Sequence, residues 1–131
     1  MRYLLDSDWV IDALGGISLA VEAILRYAPA GIGVSIVTYG EVFHGAFAFA
    51  NPQDHLESFR RFLSGFTVLG LSDPIMELFA RNRYLLQRQG NIIPDLDLLI
   101  AATALHYDLT LLTRKLRHFD RVPDLKLYQP S

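Results

Sequence analysis

The sequence predicts an α/β fold of three layers, with helices on both faces of a mainly parallel central sheet. Three observations carry that expectation. Short runs rich in Val, Ile and Leu alternate with longer stretches of helical periodicity. Polar or charged residues stand where those runs end, at Asp6, at Thr38 with Glu41, and at Thr113 to Lys115. No Pro/Gly/Ser-rich linker or low-complexity tract divides the 131 residues, so residues 1–131 are read as one domain around one core. In sheets of this kind the functional crevice lies beyond the carboxyl ends of the strands.

The elements follow in order. RYLL (2–5) is a short apolar run ending at an acid, which suits a strand buried on both faces. A helix beginning near Trp9 follows and is broken by Gly15 and Gly16; SLAVEAILRYA (18–28) resumes helical periodicity with Ser18 as its expected N-cap. GIGVSIV (31–37) is Gly-flanked and β-branched and predicts a second strand. TYGEVFHGAFAFA (38–50) predicts a helix stopped by Asn51 and Pro52. In DHLESFRRFLSGF (54–66) Leu56, Phe59, Phe62, Leu63 and Phe66 share one stripe, with Glu57, Arg60 and Arg61 opposite. TVLGL is a short strand candidate. DPIMELFARNRYLLQRQ (73–89) carries Pro in its first turn and ends at Gly90, which is ordinary helix punctuation. A further helix spans 94–107, LTLLT (109–113) is a strand, and KLYQ is a weak last one.

Composition narrows the setting. The chain has no cysteine, which removes disulfides and thiolate metal sites and fits a reducing cytoplasm. The start MRYLLD is too short and too soon charged for a secretory signal, and the longest uncharged run, 14 residues between Arg26 and Glu41, falls short of the roughly 20 that a membrane span needs. A soluble, cytosolic protein with no membrane partner is expected. Apolar residues make up 51% and mean hydropathy is +0.24. A small domain has too little interior for so many apolar side chains, so a partner or second copy is expected to cover some of them. The net charge of -2 conceals an asymmetry: residues 1–57 hold seven acids and two basic residues, whereas residues 58–131 hold seven acids and ten basic residues. A pI near 6.0 argues against a general nucleic-acid coat protein but leaves room for a basic lobe facing an acidic site.

The acids at the strand ends raise the chemical question. Asp6 ends the first strand and doubles as an N-cap or turn residue. Thr38 and Glu41 fit a capping box, T-Y-G-E, although a first-turn glutamate also points into the crevice. IPDLDLLIAATAL (93–105) places two carboxylates at the head of a run that should be buried. Asp95 suits a helix start, but Asp97 shares a face with Ile100, Ala101 and Ala104 and so leans against the sheet; the helix dipole alone favours an acid at either place. Carboxylates converging from separate segments repel one another unless a cation resolves the repulsion. Oxygen ligands without Cys or a His pair suit Mg²⁺ or Mn²⁺, and such ions activate water and stabilise charge on a phosphodiester. The economical reading is a metal-dependent nuclease.

These blocks resemble the PIN-domain ribonucleases, in particular the VapC-type toxins of bacterial toxin–antitoxin pairs. YLLDSDWVID resembles the family's opening strand and first acid, VSIVTYGEVFHG its second, IPDLDLLIAATAL its third, and LTLLTRKLRHFDRVPDLKL its closing strand and tail. The resemblance implies a PIN-like fold and an endoribonuclease in which Asp6, Glu41 and Asp97 are the catalytic, metal-binding acids and Asp95 an auxiliary ligand. It also implies Mg²⁺ or Mn²⁺ as cofactor, RNA as substrate, a homodimer, and a small antitoxin wrapped over the toxin. One departure is Lys115, where the family usually carries Asn or Asp; a lysine cannot coordinate a cation, so it points outward, faces a phosphate in place of a second ion, or marks an impaired enzyme.

Weaker signals complete the reading. Asp8, where the family often has Asn, is expected to be a solvated turn residue. Ser7, Thr38 and Thr113 place hydroxyls at the crevice. His44, His55, His106 and His118 lack metal-ligand spacing and are assigned to structure or surface. Arg114 and Arg117, flanking the crevice, are the preferred phosphate contacts among the arginines. Phe43, Phe47 and Phe49 make their helix apolar nearly all round, suiting a core or a partner groove. Two rivals stand: a haloacid-dehalogenase-like phosphatase, with Asp6 as nucleophile and Asp8 as acid/base in D-S-D-W-V, and a catalytically inactive PIN module that binds RNA or protein.

Overall fold

In the computed structural model, which describes residues 1–129, five short strands form the centre of the molecule. β1 (Tyr3–Leu5), β2 (Ile32–Ser35), β3 (Thr67–Leu69), β4 (Thr110–Leu112) and β5 (Lys126–Leu127) form one sheet in the order β3-β2-β1-β4-β5. Every pairing is parallel, with Tyr3 opposite both Ile32 and Thr110. The chain builds outward from β1 to β2 and β3, then returns to β1's other side for β4 and β5. The strand order therefore reverses between β1 and β4, the point at which open α/β sheets place their ligands.

Alternation along each strand divides the core in two. Leu5, Val34 and Leu112 face one helical layer with Trp9, Val10, Ile24, Val42, Phe59 and Leu63. Those residues come from α1 (Ser7–Leu14), α2 (Ser18–Tyr27), α3 (Ile36–Ala46) and α4 (Pro52–Leu63). Leu4 and Leu111 face the other layer with Leu86, Leu98, Ile100, Ala101 and Phe119. These belong to α5 (Asp73–Gln89), α6 (Asp95–Tyr107) and α7 (Leu116–Phe119). Burying each such aliphatic side chain contributes about 1.5–3 kcal/mol, so both layers are needed to offset the ordering of the chain.

The predicted elements are present, with instructive shifts. Residues 73–89 form a helix as expected, closed by Gly90 in the left-handed conformation at φ 70°. The second strand stops at Ser35 instead of residue 37, because the Ser35 hydroxyl accepts a 3.1 Å bond from the Val37 amide and starts α3 early. Thr38 and Glu41 consequently lie inside that helix and form no capping box. α3 also ends at Ala46, leaving Phe47 and Phe49 exposed beyond it, while Phe43 stacks on Tyr39 at 4.3 Å. α4 begins at Pro52, earlier than predicted, where Asn51 Nδ2 donates to Asp54 Oδ2 at 2.7 Å. The expected cap at Ser18 is replaced by Ile17, without a side-chain bond.

Candidate active site

The site is assembled by three chain reversals at one end of the sheet. Asp6 follows β1 directly, Thr113 follows β4, and the Asp6 amide bonds to the Leu112 carbonyl at 2.9 Å, so the two strand ends are locked together. The Asp6 side chain is fully buried. Its Oδ1 accepts from the Ser7 amide at 2.8 Å and its Oδ2 from the Thr113 hydroxyl at 2.7 Å. Asp6 is thus both the N-cap of α1 and a carboxylate fixed in one orientation.

Asp97 lies in the first turn of α6 and is only 4% exposed. The N-terminal end of the helix favours its negative charge. Its two oxygens face basic side chains from the β4–α7 region: Lys115 Nζ is 2.9 Å from Oδ1, and His118 Nδ1 is 3.1 Å from Oδ2. The same ammonium is 3.5 Å from Asp6 Oδ2, so Lys115 bridges the two acids. It does not point outward. Burial works against the charged Lys115, but the bond to Asp97 and the charges of Asp6, Asp97 and Glu41 outweigh it and raise its pKa above the ordinary lysine value.

Glu41 enters from α3, and its Oε1 is buried without a hydrogen-bond partner. Burial first, then the charge of Asp6, raises its pKa, with Lys115 opposing and Asp97 adding to the rise. Asp8 behaves alike: burial first and then Asp6 raise its pKa, while the Arg114 amide, donating to Oδ2 at 2.8 Å, lowers it. Asp8 Oδ1 is buried and unpartnered, so the expectation of a solvated turn residue is corrected.

These two shifts set a pH dependence. A carboxyl whose folded pKa is raised adds stability that is fully present below its ordinary pKa and is lost as pH rises through the raised one. In metal-free protein, Glu41→Gln is expected to raise the melting temperature, by a margin that grows as pH rises above about 4.3, the ordinary glutamate value. Thermal melts in EDTA across mildly acid to neutral pH measure it; a margin that does not change with pH would mean that Glu41 is not strained.

The remaining expectations divide. Asp95 stands apart from the cluster: it pairs with Arg83 at 2.9 Å on the surface, because two residues along a helix turn it away from Asp97. Arg114 is exposed, with its guanidinium 3.5 Å from Asp12 and 3.9 Å from Asp8, and Arg117 is exposed on α7. The Thr38 hydroxyl is buried without a partner. His118, assigned above to structure or surface, touches Asp97. Its signal was its spacing, three residues after Lys115, which puts both on one side of a single helical turn.

The donor set fits a hard divalent cation, since Asp6, Asp97 and Glu41 offer carboxylate oxygens and one of them is an orphaned buried acceptor. Among the described residues, no three such groups are arranged around one coordination point.

The family model described as PIN domain matches residues 3–125. The chain belongs to the PIN-domain family. This PIN domain is 29% identical over 126 residues to a protein named Ribonuclease VapC2 from Haemophilus influenzae, with 96% of each chain covered. Among solved structures it resembles VapBC2 from Rickettsia felis bound to a promoter DNA fragment, with TM-score 0.91, 25% identity and 98% of each chain covered. It also resembles a toxin–antitoxin complex from Klebsiella pneumoniae, with TM-score 0.78, 27% identity and 99% and 98% covered. The PIN match sets aside the phosphatase reading of D-S-D-W-V.

Proposed function

We propose that this PIN domain is an endoribonuclease whose Asp6, Glu41 and Asp97 hold Mg²⁺ or Mn²⁺. The chain is a VapC-type ribonuclease, the toxin of a VapBC pair. The observation that supports the site reading is that the buried Asp6 and Asp97 share the Lys115 ammonium at the β1/β4 switch point, with the half-buried Glu41 near enough to feel their charge and its Oε1 without a protein partner. When bound, the ion supplies Lewis acidity that lowers the pKa of water and offsets charge developing on a phosphodiester. The chain's own groups do the rest. Thr113 and the Ser7 amide hold Asp6 in one orientation, and the His118 ring holds Asp97, which the Lys115 ammonium also contacts in the ion-free protein. Arg114 and Arg117, both exposed, would contact RNA phosphates.

An antitoxin and a second copy of the chain are the expected partners. Ile11, Phe47 and Phe49 are exposed, and a groove of about 410 Å³ runs between Ile11, Leu14, Val42, Phe49 and Phe59. Apolar surface of this kind is what an amphipathic partner segment covers. No helix among the described residues is long and apolar enough to cross a membrane.

Incubation of the purified protein with total RNA in Mn²⁺, with and without EDTA, tests the reading. Cleavage that EDTA stops is expected, together with slowed bacterial growth on expression without the antitoxin. RNA left intact in both Mg²⁺ and Mn²⁺, with RNA binding retained, would make this an inactive binding module instead.

A further inference from the structure

We propose that the Lys115 ammonium is a resident cation of the acidic site, occupying the place between Asp6 and Asp97 that a divalent ion must take, so that ion binding requires its displacement. The inference rests on the reading of these acids as an ion site. Three observations carry it. Lys115 Nζ contacts both Asp97 Oδ1 at 2.9 Å and Asp6 Oδ2 at 3.5 Å, the bridging arrangement expected of a cation shared by two carboxylates. Asp97 Oδ2 is engaged by His118 and Asp6 Oδ1 by the Ser7 amide, so the ammonium takes Asp97 Oδ1, which has no other partner, and Asp6 Oδ2, which also accepts from the Thr113 hydroxyl at 2.7 Å. In the arrangement that the ammonium bridges, no three ligating groups among the described residues share a coordination point, so the acids meet around the lysine and not around an ion site. An ammonium and a divalent ion on the same oxygens repel each other at contact distance in a partly buried site, so the lysine weakens ion binding for as long as it stays.

The lysine also has somewhere to go. Its side chain is one-third exposed and lies on a flexible four-carbon stem at the start of α7, so it can swing toward solvent without moving the backbone. Lys115 is therefore a positioning residue with two places: on the acids while no ion is bound, and released toward the substrate side once one is. The ammonium offsets part of the negative charge of Asp6 and Asp97, so the site can form without a metal.

The test titrates Mn²⁺ alone into EDTA-stripped protein by calorimetry, for the parent, Lys115→Met and Lys115→Gln. Both variants are expected to bind Mn²⁺ about tenfold more tightly or better, since each removes a competing unit charge. Both are also expected to melt below the parent in EDTA and to gain more from Mn²⁺ than the parent does. The glutamine variant keeps the test valid if methionine disturbs the fold. Equal or weaker Mn²⁺ binding by the variants overturns the proposal. If the parent still cleaves RNA in Mn²⁺, that result leaves the ribonuclease reading standing. Tighter binding by the variants, in a parent that cleaves no RNA, upholds the displaced lysine and removes the ribonuclease reading.

Discussion

Replacing Asp6 by asparagine is expected to abolish RNA cleavage and leave the fold in place. The carboxylate is fully buried at the switch point, and asparagine keeps its shape and one acceptor oxygen, which can still receive the Ser7 amide. What disappears is the negative charge that faces the Lys115 ammonium and, in the reading above, the divalent ion. Losing a ligand of that kind removes about 4 kcal/mol of transition-state stabilisation, or roughly a thousandfold in rate at 1.36 kcal/mol per tenfold. Cleavage of total RNA in Mn²⁺, followed against time beside a circular-dichroism melt, measures both halves. A variant that cuts RNA at the parent rate would remove Asp6 from the catalytic set, and one that fails to fold would show that its charge is first a structural necessity.

The largest expected loss of stability comes from Phe119→Ala. Phe119 is the biggest fully buried side chain and anchors the four-residue α7 against Leu4, Leu98 and Leu111. Truncation leaves a ring-sized cavity in a layer with little freedom to collapse, at a cost of about 3–5 kcal/mol. That is a large share of the 5–15 kcal/mol that ordinarily holds such a domain together, and the melting temperature should fall by about 10–20 °C. The position matters beyond stability. α7 carries Lys115 at its start and His118 within it, and the His118 and Phe119 amides both bond to the Lys115 carbonyl, at 3.0 and 3.2 Å. Loosening the anchor should free His118 from Asp97 and leave that carboxylate less well oriented, so cleavage should fall even at temperatures where the variant remains folded. Phe119→Leu, which refills most of the space, should recover much of both properties. Urea denaturation of the two variants checks this, and a cost below about 1 kcal/mol for alanine would mean that α7 is held by something other than its phenylalanine.

The alternation of apolar runs with helical periodicity determined the fold class from the sequence alone, because parallel strands buried on both faces must be uniformly apolar and their crossovers must be amphipathic. The same patterning located Asp6 and Asp97. An acid that ends a buried strand and an acid on the packed face of a helix both put a charge where burial makes it costly, which made them candidates although capping and the helix dipole also favour them. Boundaries near α3 were less legible. Both Ser35 and the T-Y-G-E segment can cap a helix, and only the completed sheet, which ends β2 at Ser35, decides between them.

The positions of Lys115, His118 and Asp8 were decided by tertiary structure. Each is separated from its partner by a long stretch of chain: 18 residues from Lys115 to Asp97, 21 from His118 to Asp97, and 106 from the Arg114 amide to Asp8. Periodicity reports which face of its own element a side chain occupies, and says nothing of which other element arrives there. The reversal of strand order between β1 and β4 brings α7 beside the acids, so a lysine that looks like a solvated charge in the sequence becomes the cation that holds two buried carboxylates together.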